Sequence, residues 1–175
     1  MGLVFTVGRP SAVFDEPFAG LVRDILEAEC EDDLAFGAEG DGVEPFHSAE
    51  LGWSGWGLLQ ERARVALGAE AVPNLLSMEA WRGAYLPGWA EAGAIVFDAD
   101  PTPLDVAPLG GLIGELERIG AALGLATDAA GLAELAASYD DDDRIDDDME
   151  IQTYAQLLPA AREAARRRQP LWVVK

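Results

Sequence analysis

The sequence carries one cysteine, one histidine and one lysine, and each scarcity excludes a class of chemistry. A lone Cys30 cannot build an intramolecular disulfide framework. It falls at the end of a predicted helix and reads as a half-buried structural thiol. A lone His47 excludes a zinc site with several histidine or cysteine ligands. Any Ser-His-Asp or Cys-His arrangement would have to use it from within a glycine-rich loop. Gly-x-Gly-x-x-Gly and Walker A patterns are missing, so nucleotide binding has no support. Ser54, in Gly52-Trp53-Ser54-Gly55, lacks the spacing of a nucleophile elbow. No cofactor is predicted.

Long apolar runs are missing too. None approaches the roughly 18 residues of a membrane-crossing helix. Met1-Gly2-Leu3-Val4-Phe5-Thr6 matches the N-myristoylation pattern, but Leu3 to Val7 reads better as a buried strand. With little cysteine and no leader-like segment, the expected location is the cytoplasm. Eleven arginines against one lysine fit a GC-rich bacterial genome.

What the chain does have is acid. Thirty-two Asp and Glu oppose twelve Lys and Arg, a formal net charge of -20 on 175 residues. That exceeds what solubility requires of a small domain. Such a surface repels phosphates and anionic lipid, which argues against nucleic-acid or membrane partners. It attracts basic proteins and cations. Hydrophobic residues make up 50% of the sequence, enough for a core without metal or disulfide staples.

The length suits one domain, residues 1–175. Leu3 to Val7 is a short β-rich run. Asp15 stands as a helix cap with Glu16 and Pro17 in the first turn, and Phe18, Leu21, Val22, Ile25 and Leu26 form one apolar stripe. Residues 32–47 read as an irregular loop. A second helix is predicted over 54–67, capped by Ser54, burying Trp56, Leu59, Ala63 and Leu67, and stopped by Gly68. Ser77 is expected to cap a short helix through Trp81, with extended chain at Ala84–Leu86. Ala94–Phe97 reads as a buried strand stopped by Asp98–Pro101. Helices follow from Pro108 to Leu123, then from a Thr127 cap burying Leu132, Leu135 and Tyr139. A further helical pattern from Glu150 to Arg168 is interrupted by Pro159, either one kinked helix or two. Leu171–Val174 closes as a strand. These elements predict an α+β fold, loosely α/β, with about five helices on a small mixed sheet that includes both terminal strands.

Two constellations stand out. Residues 140–150 form an acidic surface segment with Asp140, Asp141, Asp142, Asp143, Asp146, Asp147, Asp148 and Glu150 against Arg144 alone. Residues 151–175 instead carry one acid and five bases, so the segment complements the dipole of the helix it precedes. It is also a candidate docking surface for a basic partner. Calcium or magnesium is a weaker fit, because no register of the run reproduces an EF-hand loop: Ile145 stands where the fifth-position oxygen is needed. The second constellation is Trp53 and Trp56 among glycines, either a stacking platform for a sugar or peptide, or a helix start with Trp56 facing the core. The leading expectation is a non-enzymatic acidic interaction module, of inhibitor or immunity type, that binds a basic protein. The alternative is a carboxylate-dependent hydrolase or carbohydrate-binding domain using Trp53, Trp56 and nearby acids.

Overall fold

The two ends of the chain meet inside one sheet. The computed structural model describes residues 2–36, 43–79, 82–98, 100–138 and 148–174. Six strands, β1 (Val4–Val7), β2 (Phe46–His47), β3 (Arg82–Leu86), β4 (Gly93–Phe97), β5 (Asp100–Pro108) and β6 (Leu171–Val174), form a mixed sheet in the order β2-β1-β6-β3-β5-β4. C-terminal β6 lies between β1 and β3, antiparallel to both, while β3 and β5 run parallel.

Six α-helices among the described residues cover this sheet: α1 (Phe18–Cys30), α2 (Ser54–Leu67), α3 (Pro73–Leu76), α4 (Leu109–Leu123), α5 (Ala129–Ala137) and α6 (Met149–Arg167). The period-2 alternation of the strands divides the core in two. Phe5, Val7, Tyr85, Ala107, Leu171 and Val173 pack with α2, α4 and α6 on one face. Ala84, Leu86, Leu104, Val106 and Trp172 pack with Val22, Leu26 and Cys30 of α1 on the other. Among the described residues, one face therefore has a layer of several α-helices and the other a single α-helix. The Trp172 indole N–H donates to the Gly8 carbonyl at 2.8 Å, so even this buried ring leaves no polar atom unpaired.

The thin layer is held by an aromatic box. Phe14, Phe18 and Phe97 surround the Arg82 guanidinium, whose carbon lies 4.1 Å from the Phe18 ring centre, and Arg82 Nη1 donates to Asp100 at 2.7 Å. A cation against aromatic faces in a partly dry site is worth about 1–2 kcal/mol. On the thick side, Glu115 is buried within α4. Its carboxylate accepts the N–H groups of Asn74 and Leu75 and the Asn74 amide, and so caps the single turn of α3. Burial pushes the Glu115 carboxyl above the usual range, partly offset by those donors.

Several expectations need correction. α1 starts at Phe18, and its capping oxygen comes from Glu16, which accepts the Gly20 N–H at 3.1 Å. Its buried face is Ala19, Val22, Leu26 and Cys30, and Leu21 is exposed. Within 32–47, Phe46 and His47 form an edge strand on β1. Ser77 ends α3 instead of starting a helix, with its N–H bonded to Pro73. β4 is an exposed edge, not a buried strand: Val96 is 74% exposed. The stretch read as a stop, Asp98–Pro101, runs into β5. Its prolines are tolerated because pairing with β3 begins only at Asp105, so the first half of β5 has β4 as its single neighbour. Asp128 caps α5, accepting the Gly131 N–H at 3.1 Å, one residue after the expected Thr127. Tyr139 lies outside the described residues. α6 is one helix through Pro159, and its buried face ends on Ala164.

A central β6 makes the C-terminus indispensable. Burying each of Leu171, Val173 and Trp172 contributes about 1.5–3 kcal/mol or more before ordering entropy is subtracted. A chain lacking residues 170–175 is expected to lose its cooperative thermal transition and to aggregate, as checked by circular dichroism and size-exclusion chromatography. A truncated chain that melts like the full one would contradict the central placement.

Candidate functional site

The surface of α1 concentrates negative charge. Residues 15–33 hold eight carboxylates and one arginine, Arg23. Burial of Ala19, Val22, Leu26 and Cys30 turns Asp24, Glu27 and Glu29 outward, and Asp32 and Asp33 of the following 3-10 turn (Glu31–Asp33) are exposed as well. Glu29, Asp32 and Asp33 stand at the C-terminal end of the helix, and no basic residue occupies its last turn. Unsatisfied carbonyls already make that end negative, so carboxylates there are unfavourable by about 0.3–1 kcal/mol each. The field reaches inward: burial first, and then the charges of Asp33 and Glu29, push the Cys30 thiol up to about 11. Cys30 is therefore an inert buried thiol.

A cleft of about 400 Å³ runs beside the first turns of this helix, lined by Arg9, Glu16, Arg23, Asp24, Glu27 and Phe36. The carboxylates are spread along the face. Among the described residues no three of Asp, Glu, His or Cys converge as a metal ion requires. Within the cleft Arg9 and Arg23 stand beside the acids, and Arg23 pairs with Asp24 at 3.4 Å, so the uncompensated carboxylates are those toward the C-terminal end of the helix.

Several arginines of the rest of the molecule are engaged within it. Arg62 faces Glu150 at 3.8 Å, Arg162 pairs with Glu117 at 3.1 Å, and Arg64 pairs with Glu61. Arg166 and Arg167 both bind Glu163; Arg166, and after it Arg167, hold that carboxyl down to about 2. Glu163 offsets part of the positive charge at the end of α6, while the acidic excess of the chain remains elsewhere on its surface.

The sequence candidates fall unevenly. Asp140, Asp141, Asp142, Asp143, Asp146 and Asp147 lie outside the described residues. Asp148 is exposed, in the left-handed region (φ 73°) just before α6, and Glu150 sits half-buried in the first turn facing Arg62. Trp56 is 3% exposed, packs against Phe5 and donates its indole N–H to the Met78 carbonyl at 3.0 Å. Trp53 is half-buried against the same core. This is the geometry of a core-facing helix start. His47 is exposed on β2, with Nδ1 3.0 Å from Thr6 Oγ1. A second cleft, about 340 Å³, was not foreseen: Ser77, Glu79, Arg82, Thr102, Pro103 and Asp105 line it at the β3–β5 end of the sheet. Burial, and then the Glu79 charge, raise the Asp105 carboxyl, while the Glu79 N–H opposes that shift.

No family model, curated protein or solved structure matches this chain.

Charge placed against a helix dipole has a measurable signature. The double variant Glu29→Gln/Asp32→Asn is expected to be more stable than wild type by about 0.5–1 kcal/mol at low salt. The gain should shrink in high salt, where exposed charges are screened. Urea unfolding at two ionic strengths checks it, and a destabilised variant at low salt would contradict the electrostatic reading of α1.

Proposed function

We propose that this chain is an acidic, non-enzymatic interaction module that binds a basic protein partner through the α1 face, in the manner of an inhibitor or immunity protein, and that it works in the cytoplasm. One observation carries the reading: carboxylates crowd the C-terminal end of α1, where the helix itself disfavours them. The helix dipole gains nothing from that arrangement. A partner that brings lysines or arginines to the same place relieves the repulsion and gains the attraction, so the strain in the free protein becomes affinity and on-rate in the complex. The net charge of -20 extends the same field beyond the contact surface. A hydrolase or carbohydrate-binding domain built around Trp53 and Trp56 has less support, since the Trp56 ring is occupied by the core.

The test is a pull-down from a lysate of the source organism with three baits at low and moderate salt, the retained proteins being identified by mass. The baits are wild type, an α1 variant (Asp24→Asn, Glu27→Gln, Glu29→Gln, Asp32→Asn) and a variant with Asp140–Asp143 and Asp146–Asp148 changed to Asn or Ser. Wild type should retain a basic protein in a salt-sensitive way, and the α1 variant should lose about tenfold or more of it. Loss confined to the second variant would move the contact to the 140–150 segment. Equal recovery by all three baits at both salts would overturn the proposal.

A further inference from the structure

The two edges of the sheet are built differently. β2 is two residues long and ends on His47, so it offers little backbone to a newcomer. β4 is five residues, Gly93-Ala94-Ile95-Val96-Phe97, without a charge or a proline. Natural edge strands of that kind are normally shielded by lysine, proline or a covering helix. Here Ile95 and Phe97 turn toward the α1 core, while Gly93, Ala94 and Val96 are exposed and the space around Gly93 is open. The only irregularity is a register shift between Ile95 and Phe97.

Charge selects the occupant of this edge. Ala94 pairs with Asp105, so its side chain shares a face with that carboxylate and with the cleft that Asp105 and Glu79 line. An added strand lies about 4.8 Å outward, which sets its residue opposite Ala94 about 10 Å from Asp105, within reach of a lysine or arginine stem. Exposed Glu91 and Asp98 flank the strand at either end. A second copy is a poor occupant: antiparallel pairing of two β4 strands brings Glu91 of one close to Asp98 of the other, between molecules that each carry -20. From this juxtaposition we infer that β4 is a strand-addition site for an extended segment of a basic protein, which pairs its backbone with the edge and sets lysine or arginine side chains over Asp105 and Glu79. This rests on the reading of the protein as a binder of basic partners, and adds where and in what conformation the partner is held.

A synthetic ten-residue peptide of alternating valine and lysine serves as the probe. A glutamate analogue and a version N-methylated at alternate residues serve as controls. Titrated into the full chain, the lysine peptide should bind in a salt-sensitive way and slow amide hydrogen exchange across residues 93–97. Ala94→Lys/Val96→Lys, at two exposed positions, should keep its melting transition and bind the peptide about tenfold more weakly or worse. The glutamate and N-methylated peptides should bind as poorly. The α1 variant should retain peptide protection at β4, so failure of the α1 reading and failure of this one are separable. No binding, undiminished binding of the N-methylated peptide or to the β4 variant, or protection at α1 in place of β4 overturns the inference. So does wild-type dimerisation that protects β4 as salt rises.

Discussion

Everything in this fold depends on β6 lying between β1 and β3. Four residues, Leu171–Val174, supply hydrogen-bond partners to strands that begin at Val4 and at Arg82, so the sheet cannot close without them. Their alternation also assigns the layers. Leu171 and Val173 face the helices α2, α4 and α6, and Trp172 faces α1. With both sides of one strand buried, backbone satisfaction and side-chain burial reinforce each other. The register leaves no second choice, because a one-residue slip would put Leu171 and Val173 in the space of Trp172 on the α1 face and Trp172 in theirs on the other.

The unequal layers then determine where charge goes. The thick layer spends its arginines on its own carboxylates, as with Glu163, Glu117 and Glu150, and so presents a largely compensated surface. The thin layer is one amphipathic helix, fixed to the sheet by aromatic rings and the Arg82 cation, and its outer side carries acid with little compensation. The acid at its C-terminal end opposes the helix dipole, and Glu29 and Asp32 point outward from the packed face of α1. Local rules broken without a structural gain are expected at functional surfaces. The bare edge of β4 adjoins α1, because Phe97 meets Phe18 at a centroid distance of 4.9 Å, while its Ala94 shares the opposite face with Asp105.

Much of the fold was legible in the sequence. Gly68 and Gly124, at φ 85° and 67°, mark the ends of α2 and α4 where a left-handed or similarly restricted backbone favours glycine. The apolar tetrad at 171–174 has no plausible place except in a sheet. Other elements were hidden for identifiable reasons. Pro101 and Pro103 disguise β5, because a proline within a strand is allowed only where a neighbour is missing, and sequence does not show which half of a strand is flanked. β4 reads as buried because apolar composition does not distinguish a central strand from an edge. Ser77 suits a cap at either end of a helix turn, and tertiary context decides. The acidic face of α1 is hidden in the sequence because its carboxylates are distributed over 15–33, whereas those of 140–150 are contiguous. Only folding shows that Asp24, Glu27 and Glu29 all lie outside the buried stripe.

The central claim, that α1 is the binding face, is tested most directly by a hydrogen-exchange footprint of the protein with its captured basic partner. Protection should rise over α1 and the adjoining turn at 31–33, and α4 and α6 should exchange as they do in the free chain. A footprint centred on α4 and α6, with α1 unchanged, would contradict it.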